Sequence, residues 1–160
     1  SVHPVAADRE CLKDLECRLM LFYTGVQRDA HEILAEQFDR TLAGEIDGEL
    51  AGLANLVDQG REILTRSRHI SEFGSLLHEG WKLKRRCSAQ VSNAWIDKLY
   101  DRALSVGAVG GKILGAGGGG FLLLFVEPEH QSRVGHALSP LRQVNFGFDI
   151  SGSTVIFDHV

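Results

Sequence analysis

Residues 110–128 read GGKILGAGGGGFLLLFVEP, and this stretch decides the fold. Eight of the chain's 18 glycines lie between Gly107 and Gly120, so the bareness is local and needs a local cause. The pattern predicts a short strand over Val109–Leu114, a loop over Gly115–Gly120, and a second strand over Phe121–Val126 that Pro128 stops. Glycine admits φ > 0 and lets bare N–H groups stand next to a ligand. Successive N–H groups in such a turn form an anion-binding nest. An ordinary hairpin turn needs two permissive residues, and here five of six positions are glycine.

Two phosphate-binding templates fail on this loop. The P-loop pattern G-x-x-x-x-G-K-[ST] finds Gly111-Lys112, but Val106 stands at its first glycine and Ile113 where Ser or Thr should follow. The dinucleotide fingerprint matches Gly115, Gly117 and Gly120 by letter. That motif must open a helix, and FLLLFVEP reads as a strand.

Working outward, residues 15–25, LECRLMLFYTG, read as a strand buried on both faces. Ile33, Leu34 and Phe38 are spaced for one helix face. Ile46, Leu50, Leu53, Ala54 and Val57 fit another, with Gly44, Gly48 and Gly52 marking close approach of a neighbour. A helix over 71–86 has Ser71 as N-cap and four cations near its end. A helix over 93–106 is capped by Ser92 or Asn93 and stopped by Gly107. Trp81 and Trp95 are expected to pack in the core. A helix over 128–139 follows, then a strand through Val144, Phe146, Phe148 and Ile150, and a last strand STVIFD. This order predicts an α+β domain: an antiparallel sheet with helices packed on one face.

The 160 residues suffice for one core, and 44% hydrophobic with 24% charged residues is ordinary for a globular chain. A net charge of −4 argues against nucleic acid or an anionic membrane as partner. Cys11, Cys17 and Cys87 are odd in number and lack C-x-x-C spacing, so they are expected to be buried thiols in a reducing cytoplasm. The chain begins at Ser1 rather than an initiator Met, as a processed or partial chain would. No H-x-x-x-H spacing and no legible Ser-His-Asp order exist, so no metal site and no catalytic residue are assigned.

The stretch GGKILGAGGGGFLLLF resembles the third motif of the GHMP kinases, a Gly-Lys-x-x-Gly-Ala-Gly-Gly-Gly-Gly run between two strands. LMLFYTGVQRDAHEIL, LLHEGWKLKRRCS and VSNAWIDKLYDRA resemble the sugar kinases related to D-glycero-D-manno-heptose 7-phosphate kinase. The resemblance implies a C-terminal half with a ferredoxin-like fold. The family's Pro-x-x-x-Gly-x-Gly-Ser-Ser phosphate loop has no counterpart here, so an N-terminal kinase domain of the same protein is the implied partner. ATP and Mg²⁺ are the implied cofactors, held mainly by that other half, and a sugar phosphate is the implied substrate.

On this reading Gly115, Ala116, Gly117, Gly118, Gly119 and Gly120 pack beside the ATP phosphates. Thr24, Gly25 and Arg28 form a T-G-x-x-R turn that would hold the substrate phosphate, Arg28 bidentately. Lys112 either reaches a phosphate or ends in solvent from a strand edge. Lys82, Arg85 and Arg86 share a helix face and read as a solvated, dipole-matched end. From the residues alone, a rival stands: a non-catalytic α+β module binding a small anion with the same loop.

Overall fold

The computed structural model describes residues 5–27, 30–66, 69–149 and 157. The described elements run α1 (Arg9–Arg18), β1 (Leu19–Tyr23), α2 (Ala30–Leu42), α3 (Asp47–Arg66), α4 (Glu72–Cys87), a 3₁₀ turn (Ala89–Val91), α5 (Ala94–Ser105), β2 (Ala108–Ile113), β3 (Phe121–Val126), α6 (Pro128–Ala137) and β4 (Arg142–Val144). The strands form one sheet in the order β2-β3-β1-β4, and every pairing is antiparallel. This is the α+β arrangement expected from the element order and the ferredoxin-like fold that the resemblance implies, with a helical insertion between β1 and β2. Among the described residues, no helix is long and apolar enough to cross a membrane.

Strand alternation divides the core. Met20 and Phe22 of β1 and Leu122, Leu124 and Val126 of β3 join the larger cluster, with Ile96, Leu99, Tyr100 and Ala103 of α5 and Val134 of α6. The intervening Phe125 turns the other way. It meets Leu15, Ile63 and Ile70, with Leu19, Phe73, Leu76 and Leu77 packed around them. Leu122, Leu124 and Phe125 are fully buried, as the dense apolar run requires.

α3 and α4 pack antiparallel, and glycines set their distance. A Cβ on Gly52 would stand 2.9 Å from Leu83 Cδ1, and one on Gly60 would touch Phe73 and Leu76. Gly48 meets nothing within 4 Å and Gly44 ends a turn at φ +70°, so of the three glycines spaced by four only Gly52 marks a close approach. The inward stripe is therefore rotated from the expected one, and Val57 is left 71% exposed. α4 also lies flush on β2. A Cβ on Gly110 would fall 2.1 Å from the Gly74 carbonyl oxygen and 2.8 Å from His78 N.

Several expectations are corrected. Residues 15–18, expected to open the strand, instead close α1, which Asp8 caps by accepting from Glu10 N on its Oδ1 at 2.7 Å. Cys11 and Leu15, four apart, share the second core cluster, which a helix satisfies and a strand does not. α2 buries Ile33 but exposes Leu34 and Phe38. Its inward side is largely polar: Glu36 accepts from Ser88 Oγ and Ala89 N, and Arg40 Nη1 donates to the carbonyls of Arg86 and Cys87 at the end of α4. Those carbonyls have no helical partner of their own, so the hydrogen bonds outweigh the apolar stripe in fixing the helix's rotation. Ser71 makes no side-chain cap; its hydroxyl donates to Glu127 Oε1 instead. Only Cys87 of the three cysteines is buried, and all three are free thiols. β4 ends at Val144, and Phe146 and Phe148 lie beyond it, edge to face with each other at 6.4 Å. The expected strand STVIFD lies outside the described residues except for Phe157.

Candidate functional site: a glycine loop held between two turns

The β2–β3 connection, 114–120, is flanked by two other turns, and backbone hydrogen bonds join all three. From the β1–α2 side, Thr24 N and Thr24 Oγ1 both donate to the Gly120 carbonyl at 2.9 Å, and Gly120 N donates to Val26 O at 2.7 Å. From the α5 side, Gly118 N donates to Val91 O at 2.8 Å and Asn93 Nδ2 donates to Gly118 O at 3.1 Å. Trp95 Nε1 donates to Thr24 O at 3.4 Å and closes the ring of turns.

The glycines serve two ends. Gly117 and Gly119 are required by contact: a Cβ on either would stand 2.6 Å from a carbonyl oxygen, that of Val91 or Val26. Gly115, Gly118 and Gly120 are required by conformation, with φ of +77°, +72° and +85°. A Cβ on Gly115 would meet nothing within 4 Å, so that residue borders open space.

The amides of Gly118 and Gly120 are engaged by carbonyls. Among the described residues, no backbone acceptor faces those of Gly115, Ala116, Gly117 and Gly119. The expected uninterrupted nest over six residues is thus a run of three amides and a fourth beyond it. Such a set can offer main-chain N–H groups to an anion and places no acid, base or nucleophile of its own.

The other expected site residues are distributed unevenly. Thr24 is buried and its hydroxyl is bonded to the loop, which makes it a brace of the loop. Gly25 sits beside it at φ +76° with open space around it. Arg28 lies outside the described residues. Lys112 pairs with Leu123 across the sheet, and no hydrogen bond joins it to the loop among the described residues. Burial lowers the pKa of the Lys84 ammonium, and the charge of Lys112 adds to that effect. Lys82 is paired with Glu79 and Arg85 with Asp97, as the solvated-end reading expects.

Two residues went unread as parts of the site. Trp95, expected in the core, is 46% exposed at the first turn of α5 and reaches the β1–α2 turn through Thr24 O. Asn93 was legible only as a cap, which it is: Oδ1 accepts from Trp95 N and Ile96 N at 3.0 and 3.1 Å. Behind the loop, His78 Nδ1 and Tyr100 Oη lie 2.8 Å apart with their rings stacked, joining α4 to α5 under β2. Burial pushes the Tyr100 phenol up, so it stays protonated.

The domain is a four-stranded antiparallel sheet with a helical insertion between β1 and β2 and a glycine-rich loop joining β2 to β3. Residues 61–141 match the family GHMP kinases C terminal. The chain belongs to the GHMP kinases, as their C-terminal domain. It is 31% identical over 134 residues to the bifunctional fucokinase/GDP-fucose pyrophosphorylase of Arabidopsis thaliana, covering 82% of this chain and 12% of that protein. It is 30% identical over 130 residues to the D-glycero-alpha-D-manno-heptose 7-phosphate kinase of Campylobacter jejuni, covering 79% of this chain and 37% of that one. The mevalonate kinase of Methanococcus jannaschii shares the fold, with a TM-score of 0.67 at 22% identity over 86% of this chain and 41% of that one. The chain thus spans well under half the length of each.

Proposed function

We propose that this chain is the C-terminal half of an ATP-dependent sugar kinase whose substrate is D-glycero-D-manno-heptose 7-phosphate, phosphorylated at its anomeric hydroxyl. One observation carries the reading: among the described residues no backbone acceptor meets the loop amides of Gly115, Ala116, Gly117 and Gly119, while the amides and carbonyls of Gly118 and Gly120 are tied to flanking turns. Donors held in this way fit phosphate oxygens and need no rearrangement on binding. The heptose substrate is supported by the likeness to the Campylobacter jejuni enzyme and by the T-G-x-x-R turn.

Among the described residues, no cluster of His, Cys, Asp or Glu suits a metal ion. The likeness to the GHMP kinases assigns Mg²⁺ mainly to an N-terminal ATP-binding half of the full-length protein. Mg²⁺-ATP supplies the transferred phosphoryl group and neutralises its charge. This chain's share is positional. The loop amides hold phosphate oxygens, Thr24 keeps the loop against the β1–α2 turn, and Gly25 and Arg28 are assigned to the sugar phosphate on the T-G-x-x-R sequence pattern. Lys112 is a secondary contact. The free thiols and the need for ATP fit a cytoplasmic setting.

The test is a coupled assay with ATP, Mg²⁺ and heptose 7-phosphate. The full-length protein that carries this chain should turn over, and residues 1–160 alone should not. Turnover by the isolated chain would overturn the division of labour, and failure of the full-length protein with this sugar would overturn the substrate.

A further inference from the structure

The geometry points to Asn93 as a positioning residue that aims one amide of the glycine loop, an inference that rests on the kinase reading above. Asn93 works at both ends of its side chain. Its oxygen accepts from Trp95 N and Ile96 N, which fixes the amide's orientation and leaves Nδ2 as the donor to Gly118 O. The N–H of Gly118 is held in turn by Val91 O.

The peptide between Gly118 and Gly119 is planar and trans, so its N–H points opposite to its carbonyl. Pinning Gly118 O on Asn93 therefore turns Gly119 N–H away from α5. In that direction no backbone acceptor meets it among the described residues. Gly118 sits at φ +72°, where glycine's broad freedom would otherwise let this peptide flip. No other residue type does both tasks at this position. Serine caps but lacks the reach and the second donor. Aspartate caps but sets a carboxylate against a carbonyl oxygen.

The experiment compares Asn93→Ser, Asn93→Asp and wild type in the full-length protein. Asn93→Ser should raise KM for ATP by roughly three- to tenfold, the worth of one hydrogen bond. KM for the sugar should stay within about twofold, because the sugar-side turn is untouched, and Asn93→Asp should be worse than Asn93→Ser. An unchanged KM for ATP in Asn93→Ser overturns the inference. So does a parallel loss in both KM values and in melting temperature, which would mark a merely structural role. Should wild type not turn over ATP at all, the kinase reading fails and the inference is decided by nuclear magnetic resonance. Inorganic tripolyphosphate should shift the Gly119 amide of wild type and not that of Asn93→Ser; no shift in wild type overturns it.

Discussion

Gly110→Ala should destabilise the domain sharply although alanine is the better strand residue. The added methyl would lie 2.1 Å from the Gly74 carbonyl oxygen, about 1.3 Å short of the 3.4 Å at which ordinary contact begins. Gly74 O and His78 N are both backbone atoms of α4, so no rotamer change relieves the clash and the helix must lift from β2. Overpacking of this kind costs about 3 kcal/mol, and replacing a strand glycine returns about 1 kcal/mol at most. A net loss of about 2 kcal/mol lowers the melting temperature of a chain this size by roughly 4–8 °C. The internal control is Gly80→Ala on the same helix, where the new methyl meets only Leu56 Cδ1, at 3.6 Å. There helix propensity gains about 1 kcal/mol and the melting temperature rises by roughly 2–4 °C. Thermal denaturation followed by circular dichroism reads both. A Gly110→Ala melting point at or above wild type would refute the packing argument, as would equal losses in the two variants.

Thr24→Val removes the hydroxyl donor to Gly120 O while Thr24 N remains, so it should cost about 1 kcal/mol in chemical denaturation, and Thr24→Ser should restore most of it. Glu36 is held below the usual glutamate range, first by the Ser88 hydroxyl and then by Ala89 N. Its stabilisation is therefore full above the unfolded pKa of about 4.3 and is lost as the pH falls through the lower folded value. Glu36→Gln should melt below wild type at pH 6, with the gap narrowing below about pH 4; a gap constant across that range would show that the charge plays no part.

The parts read correctly from the sequence were those where one local signal had no competitor. Gly107, the glycine loop and Pro128 bracket β2, β3 and the start of α6 by local backbone chemistry. Asn93 likewise sets the start of α5 through its own side chain. Errors arose where two periods coincide. Leu15, Cys17 and Leu19 satisfy a strand's alternation, but Cys11 and Leu15 also satisfy a helix, and Asp8 decides for the helix by capping it. On α2 an apolar stripe suggested the inward side, yet the inward side was fixed by unpaired carbonyls at the end of α4, which lie 46 and 47 residues from Arg40 and leave no local trace. The loop's partners were hidden for the same reason. Thr24 meets Gly120 across 96 residues, and Asn93 meets Gly118 across 25.

The doublet Gly110-Gly111 belongs to a different device from the glycines that follow it, although the two are written without a break. The first seats a helix on the sheet; the second shapes a cup. An inherited change at residue 110 would therefore surface as scarce, misfolded protein, whereas one at residue 115 would meet no neighbour, strain only the loop's own backbone and, on the proposed reading, weaken the hold on phosphate. Yield and affinity, measured side by side, would sort any lesion in this stretch to its half.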